Sequence, residues 1–142
     1  AGDAGAAQGD EQRPPPGSSS LLQAVKQNVE YEFIRELVDA GAVLSVMDAD
    51  RNTPLHCAVR HGNTRVVRLL LKSRADADCC NADLRTPLHF AAAGGSQRIV
   101  RMLVDQLADV NREDSSGLTP LQQASDPVVE RQLYGLGARR AG

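Results

Sequence analysis

The tripeptide Thr-Pro-Leu occurs at Thr53, Thr86 and Thr119, and the two steps are equal: 86 − 53 = 33 and 119 − 86 = 33. The surrounding text repeats with it. TPLHCAVRHGNTRVVRLLLKSRADAD, from Thr53, is rewritten as TPLHFAAAGGSQRIVRMLVDQLADVN from Thr86. A fixed period of this size constrains the fold strongly, because a unit that recurs packs on copies of itself. Stepping back 33 residues lands on Ser20, where SLLQAV stands against TPLHCAV. The later halves FIRELVDAGA, VVRLLLKSRA and IVRMLVDQLA align from Phe33, Val66 and Ile99. Four copies are expected at about 20–52, 53–85, 86–118 and 119–138, with a segment 1–19 ahead of them and a tail 139–142.

Each copy carries two short helical patterns. In the second, Thr53 suits an N-cap, Pro54 falls where a missing N–H does no harm, and Leu55 and Ala58 face inward. Gly62 ends that helix, and Gly95 does the same one period later. A second helix is expected from about Thr64, with Val66, Val67, Leu69, Leu70 and Leu71 as a broad apolar face. Aromatics are only 3% of the chain and Trp is absent, so Leu, Val, Ile and Ala must fill the interior. No single helix pair could bury such a face, but stacked pairs can.

These residues resemble the ankyrin-repeat family. Thr53-Pro54-Leu55-His56 and Thr86-Pro87-Leu88-His89 match its T-P-L-H opening; GNTRVVRLLL and ADVN match further parts of its pattern of about 33 residues. The resemblance covers roughly 119 of 142 residues, from Ser20 to Ala138. It implies an all-α solenoid of stacked antiparallel helix pairs with hairpin loops projecting from one side. It further implies that His56 and His89 hydrogen-bond backbone and Thr hydroxyls between neighbouring loops.

The outer copies depart from the pattern. The first has Ser20-Leu21-Leu22-Gln23 for Thr-Pro-Leu-His, and Val29 in place of the helix-ending glycine. The last has Gln122 for His and is about four residues short, with Pro127 expected to open a shortened second helix. Two hairpins have Arg51 and Leu84 where Gly117 stands in the third. Either those residues are strained at positive φ or the turn takes another type, and the second is the simpler expectation. Residues 1–19 are rich in Gly, Pro, Ser, Gln and acidic residues and read as a disordered linker, in which RPPPG at 13–17 could dock as a polyproline helix.

Sixteen basic and eighteen acidic residues give a net charge of −2, so no nucleic-acid partner is expected. No apolar run approaches the roughly 20 residues of a membrane span. The cysteines Cys57, Cys79 and Cys80 are odd in number and lack framework spacing, and no N-x-S/T sequon occurs; an intracellular location, cytoplasmic or nuclear, is expected. Cys57 shares a core register with Phe90, and the adjacent Cys79 and Cys80 cannot easily ligate one zinc together and have no C-x-x-C partner, so no metal or cofactor is expected. No nucleophile and base share a motif, and the reading is non-catalytic, monomeric in isolation.

What a stack offers is an extended surface of hairpin tips and exposed first-helix residues. By register, the residues expected there are Ala49, Asp50, Asn52, Arg60, His61, Asp83, Arg85, Ser116 and Leu118, with another protein as the partner. A second pattern is a ladder of five arginines on the second helices: Arg35, Arg68 and Arg101 in one register, Arg65 and Arg98 in another. Such a ladder would suit anionic phospholipid. Resemblance also suggests Asn111 as a possible hydroxylation site. The rival readings are a small ankyrin-type inhibitor or regulator of a kinase or transcription factor, and a scaffold or targeting segment of a larger protein.

Overall fold

The computed structural model describes residues 18–139; the RPPPG motif and most of the expected linker fall at 1–17, outside the described residues, as do residues 140–142. Among the described residues eight helices and no strand follow in pairs: α1 Ser18–Lys26 and α2 Tyr31–Asp39, α3 Pro54–His61 and α4 Thr64–Lys72, α5 Pro87–Gly94 and α6 Gln97–Asp105, α7 Pro120–Gln123 and α8 Pro127–Gly135. The all-α solenoid that the resemblance implies is what forms.

The local chemistry explains each pair. Thr53 caps α3 by accepting from the His56 backbone N–H, while His56 Nδ1 accepts from the Thr53 N–H at 3.2 Å. Thr86 and His89 repeat this reciprocal box on α5, at 3.0 Å. The imidazole thus does what a glutamate does in the common version of the motif. Gly62 and Gly95 close the two helices in the left-handed conformation, at φ 69° and 74°. Asn63 and Ser96 cap α4 and α6 through their side-chain oxygens. Inside, Leu21, Ile34, Leu55, Leu70, Leu88, Ile99, Leu103, Leu121 and Leu133 are fully buried in one continuous core.

The first copy is offset by one residue from the expected register. Asn28 (φ 53°), not Val29, takes the place of Gly62, and 62 − 28 = 34. The helix-closing bonds agree: Val29 N–H donates to Ala24 O as Asn63 N–H donates to Ala58 O. Leu21, Ala24 and Val25 are buried as Leu55, Ala58 and Val59 are, again 34 apart. Val29 is an extra residue, and Asn supports the left-handed turn because it tolerates that region better than most residues. The boundary moves accordingly: α1 begins at Ser18, so residues 18 and 19 belong to the first helix and not to a linker.

The last copy is short in its first helix, not its second. α7 has 4 residues where α3 and α5 have 8, while α8 keeps the 9 of α4 and α6. The left-handed residues that close the second helices are Gly41, Arg74, Leu107 and Gly137, in steps of 33, 33 and 30. Three residues are therefore missing rather than four. Pro127 sets the cut: the residue before a proline avoids helical ψ, and Asp126 sits at φ −120°, ψ 125°. The extended stretch is fastened to the previous copy, with Ser125 Oγ donating to Ala93 O at 2.8 Å.

Candidate functional site: a bonded row of hairpin tips

Three acidic or amide residues set the hairpins, at steps 81 − 48 = 33 and 114 − 81 = 33. Asp48 Oδ1 accepts from the N–H groups of Asp50 and Asn52, both at 2.9 Å. Asn81 Oδ1 accepts from Asp83 at 2.9 Å and Arg85 at 3.0 Å. Asp114 Oδ1 accepts from Ser116 at 2.8 Å and Leu118 at 2.9 Å. Each is a side chain folded over its own loop, satisfying two backbone donors at once.

The same turns force the residue at the third tip position into the left-handed region. Arg51 adopts φ 64° and Leu84 φ 60°, beside Gly117 at 78°. The expectation of a different turn type does not hold: the bonds that close the turn require positive φ whichever residue is there. Leu84 is half exposed in this strained position.

Adjacent tips are joined through the backbone. Ala82 N–H donates to Asp50 O at 2.9 Å, and Ser115 N–H to Asp83 O at 2.8 Å. Behind them the imidazoles reach forward one copy: His56 Nε2 lies 2.9 Å from Arg85 O, and His89 Nε2 2.9 Å from Leu118 O. Because Nδ1 accepts from a backbone N–H, the proton is on Nε2, which donates to those carbonyls. Burial pushes both imidazoles below their ordinary pKa, aided at His56 by Arg60, and the accepting carbonyls only partly oppose it.

Charge locks the row. Lys26 Nζ lies 3.4 Å from Asp48 Oδ2, and Arg85 Nε 3.5 Å from Asp114 Oδ2. Desolvation works against these two carboxylates, yet the backbone N–H bonds and the neighbouring cations outweigh it and hold both below the usual range.

Of the residues expected at the surface, Ala49, Asp50, Asp83 and Ser116 are exposed at the tips, and Arg60 and His61 are exposed at the end of α3. Arg85 and Leu118 are half-buried, their carbonyls occupied by the histidines. Asn52 is a correction. It is only 4% exposed, and its Oδ1 accepts from Asn81 Nδ2 at 3.0 Å, so it ties hairpin to hairpin from beneath. Arg60 places its guanidinium 5.5 Å from the centre of the Phe90 ring, and His61 Nε2 meets Lys26 O at 2.9 Å. The sequence reading passed over Asp48, Asn81 and Asp114, although their 33-residue spacing signalled them.

The arginine ladder is uneven. Arg35 is held by Glu32 (3.2 Å) and Asp39 (3.6 Å), and Arg101 by Asp105 (3.5 Å), all on their own helices. Arg65 lies over the Tyr31 ring at 4.0 Å. Arg68 and Arg98 are exposed. Asn111 is engaged at both ends of its amide, donating to Gly137 O at 3.2 Å and accepting from Arg139 N–H at 2.7 Å.

The Cys79 thiol, against the Thr53 hydroxyl at 3.3 Å, is pushed up to about 11 by burial, so it stays protonated at neutral pH. Among the described residues no three His, Cys, Asp or Glu side chains gather as a metal site would need. No described helix is long and apolar enough to cross a membrane.

Helix pairs in register, capped by Thr and His and joined at their hairpins, define a repeat solenoid. The chain belongs to the ankyrin-repeat family: the model for ankyrin repeats (3 copies) matches residues 5–79, 21–114 and 73–130. Comparison with curated proteins gives no match. Ankyrin repeats are generally protein-interaction modules and typically non-catalytic.

Proposed function

We propose that this chain recognises a partner protein through the row of hairpin tips, with Ala49, Asp50, Asp83 and Ser116 as direct contacts. Arg60 and His61 extend this surface toward the first helices, while Arg85 and Leu118 form its floor. The observation that supports the reading is the pair of backbone bonds between successive tips, Ala82 to Asp50 and Ser115 to Asp83. Loops tied to one another and to buried imidazoles lose little conformational entropy on binding, so exposed side chains on them contribute more of their contact energy to affinity.

The test is a comparison of proximity labelling by the wild type and by a variant with Asp50→Arg and Asp83→Arg. Both side chains are exposed and neither closes a turn, so the variant should keep its helical circular dichroism. A partner labelled by the wild type and lost by the variant is the expected result. If every labelled protein remains, the tips are not the recognition surface.

A further inference from the structure

The outer face of the second helices is divided by charge. α2 presents Glu32, Glu36 and Asp39 around one Arg35, whereas α4 presents Arg65, Arg68 and Lys72 and no acidic residue. α6 returns to a mixture, with Arg101 held by Asp105. The three cations of α4 are therefore a local feature and not part of a uniform ladder.

They also share a concavity. Arg65, Arg68 and Lys72, with Tyr31 and Leu69, line a depression of about 270 Å³ between α2 and α4. On the other side of the Arg68–Lys72 row, a groove of about 400 Å³ runs over Leu71 and Met102 toward Asp105. Tyr31 fixes one of the guanidiniums: Arg65 rests 4.0 Å from its ring centre, which orients the planar fork before any ligand arrives.

We propose that this depression binds a phosphorylated side chain of a partner protein, with a neighbouring apolar side chain of that partner in the groove beside Leu71 and Met102. Charge selects the ligand. A phosphomonoester carries nearly two negative charges at neutral pH and three acceptor oxygens, which suits a depression lined by three cations better than a single carboxylate does. The surroundings select its source. A flat anionic membrane would have to approach Glu32, Glu36 and Asp39 on the adjoining helix along with the cations, whereas one inserted phosphate meets the cations alone. This inference is independent of the hairpin-tip reading, since no residue of that surface lines either concavity.

The full chain, labelled with ¹⁵N, would be titrated with N-acetyl-O-phosphoserine amide, with N-acetylserine amide as the blank. Saturable amide shifts confined to Tyr31 and the α4 residues are expected for the phosphorylated probe only. They should strengthen as pH rises through about 6, where the phosphate takes its second charge. Arg68→Gln with Lys72→Gln should weaken binding tenfold or more. Arg65→Gln should weaken it less, and Arg101→Gln should leave it unchanged. These side chains are all exposed, so circular dichroism of each variant should match the wild type. Shifts spread over the molecule, or unaltered in the double variant, would overturn the proposal. So would sedimentation with phosphatidylcholine vesicles doped with phosphatidylinositol phosphate in the absence of shifts from the phosphoserine probe, which would assign the face to a membrane.

Discussion

The third copy and the fourth begin with the same three residues and end as different objects. At Thr86 the N3 side chain is His89, whose two ring nitrogens point opposite ways: one closes the cap on Thr86, the other reaches Leu118 in the next hairpin. At Thr119 the N3 side chain is Gln122, whose Oε1 accepts from the Thr119 N–H at 3.0 Å. An amide oxygen reproduces the inward half of the box. The third copy then runs two full turns to Gly95, while the fourth stops after Gln123 and is fastened by Ser125. The difference teaches that the same cap chemistry can open helices of different length, and that histidine joins the cap to the next hairpin.

Several measurements would break or sharpen that contrast, beginning with the largest effect. Replacing His89 by Ala removes one acceptor and one donor at a buried site and strands the Thr86 N–H and the Leu118 carbonyl; urea unfolding should show a loss of about 3 kcal/mol. Gln122→Ala removes the acceptor of the Thr119 N–H and should lose at least the roughly 1 kcal/mol of a cap. A loss at His89 no larger than the roughly 1 kcal/mol of a cap would mean that its bond to the Leu118 carbonyl contributes nothing. Next, Asp114→Ala should lose about 2 kcal/mol, because two backbone donors and Arg85 lose their acceptor together.

A pH series follows. His56 and His89 have lowered pKa values in the folded state, so the unfolded chain takes up their protons first. Their contribution to stability is present above about pH 6.5, the unfolded value, and is lost as pH falls toward the lower folded values. Asp48 and Asp114, also lowered, act in a separate window: their contribution is present above about 3.9 and lost below it. The urea midpoint should therefore fall in two stages on acidification. His56→Gln with His89→Gln should remove the upper stage and leave the lower.

The smallest effect concerns strain. Leu107, 87% exposed at φ 68°, and Leu84 at φ 60° stand where other copies have glycine. Leu107→Gly should raise stability by about 1 kcal/mol, the steric cost of a left-handed non-glycine residue. A thermal melt that shifts downward would show that the exposed leucine makes up for its backbone.

Much of this was legible in the text of the chain. The period, the two helices per copy, the Thr and Pro at three of the four starts and the Gly at two ends all follow from short-range rules, and the structure keeps them. What escaped were features the fixed step conceals. Asn28 can do the work of a glycine, so a 33-residue count placed Val29 in its role and shifted the first copy by one. The shortened helix was assigned to the wrong half because Pro127 announces where a helix starts but not where the previous one must stop. Asn52 looked like a surface donor because its neighbours are exposed; only the cross-hairpin bond to Asn81 shows that it points beneath the row. The arginine ladder was legible as a spacing, but the ion pairs from Asp39 and Asp105 that occupy two of its members become visible only once helices are built.

The central claim is that the tips are held as a bonded row. Amide hydrogen exchange at Ala82 and Ser115 tests it most directly, since both residues are solvent-exposed and their N–H groups donate to Asp50 and Asp83 of the preceding hairpins. The account predicts strong protection at both amides, comparable to amides inside α5, and its loss at Ser115 in Asp114→Ala. Exchange at the rate of an unstructured peptide in the wild-type chain would contradict it.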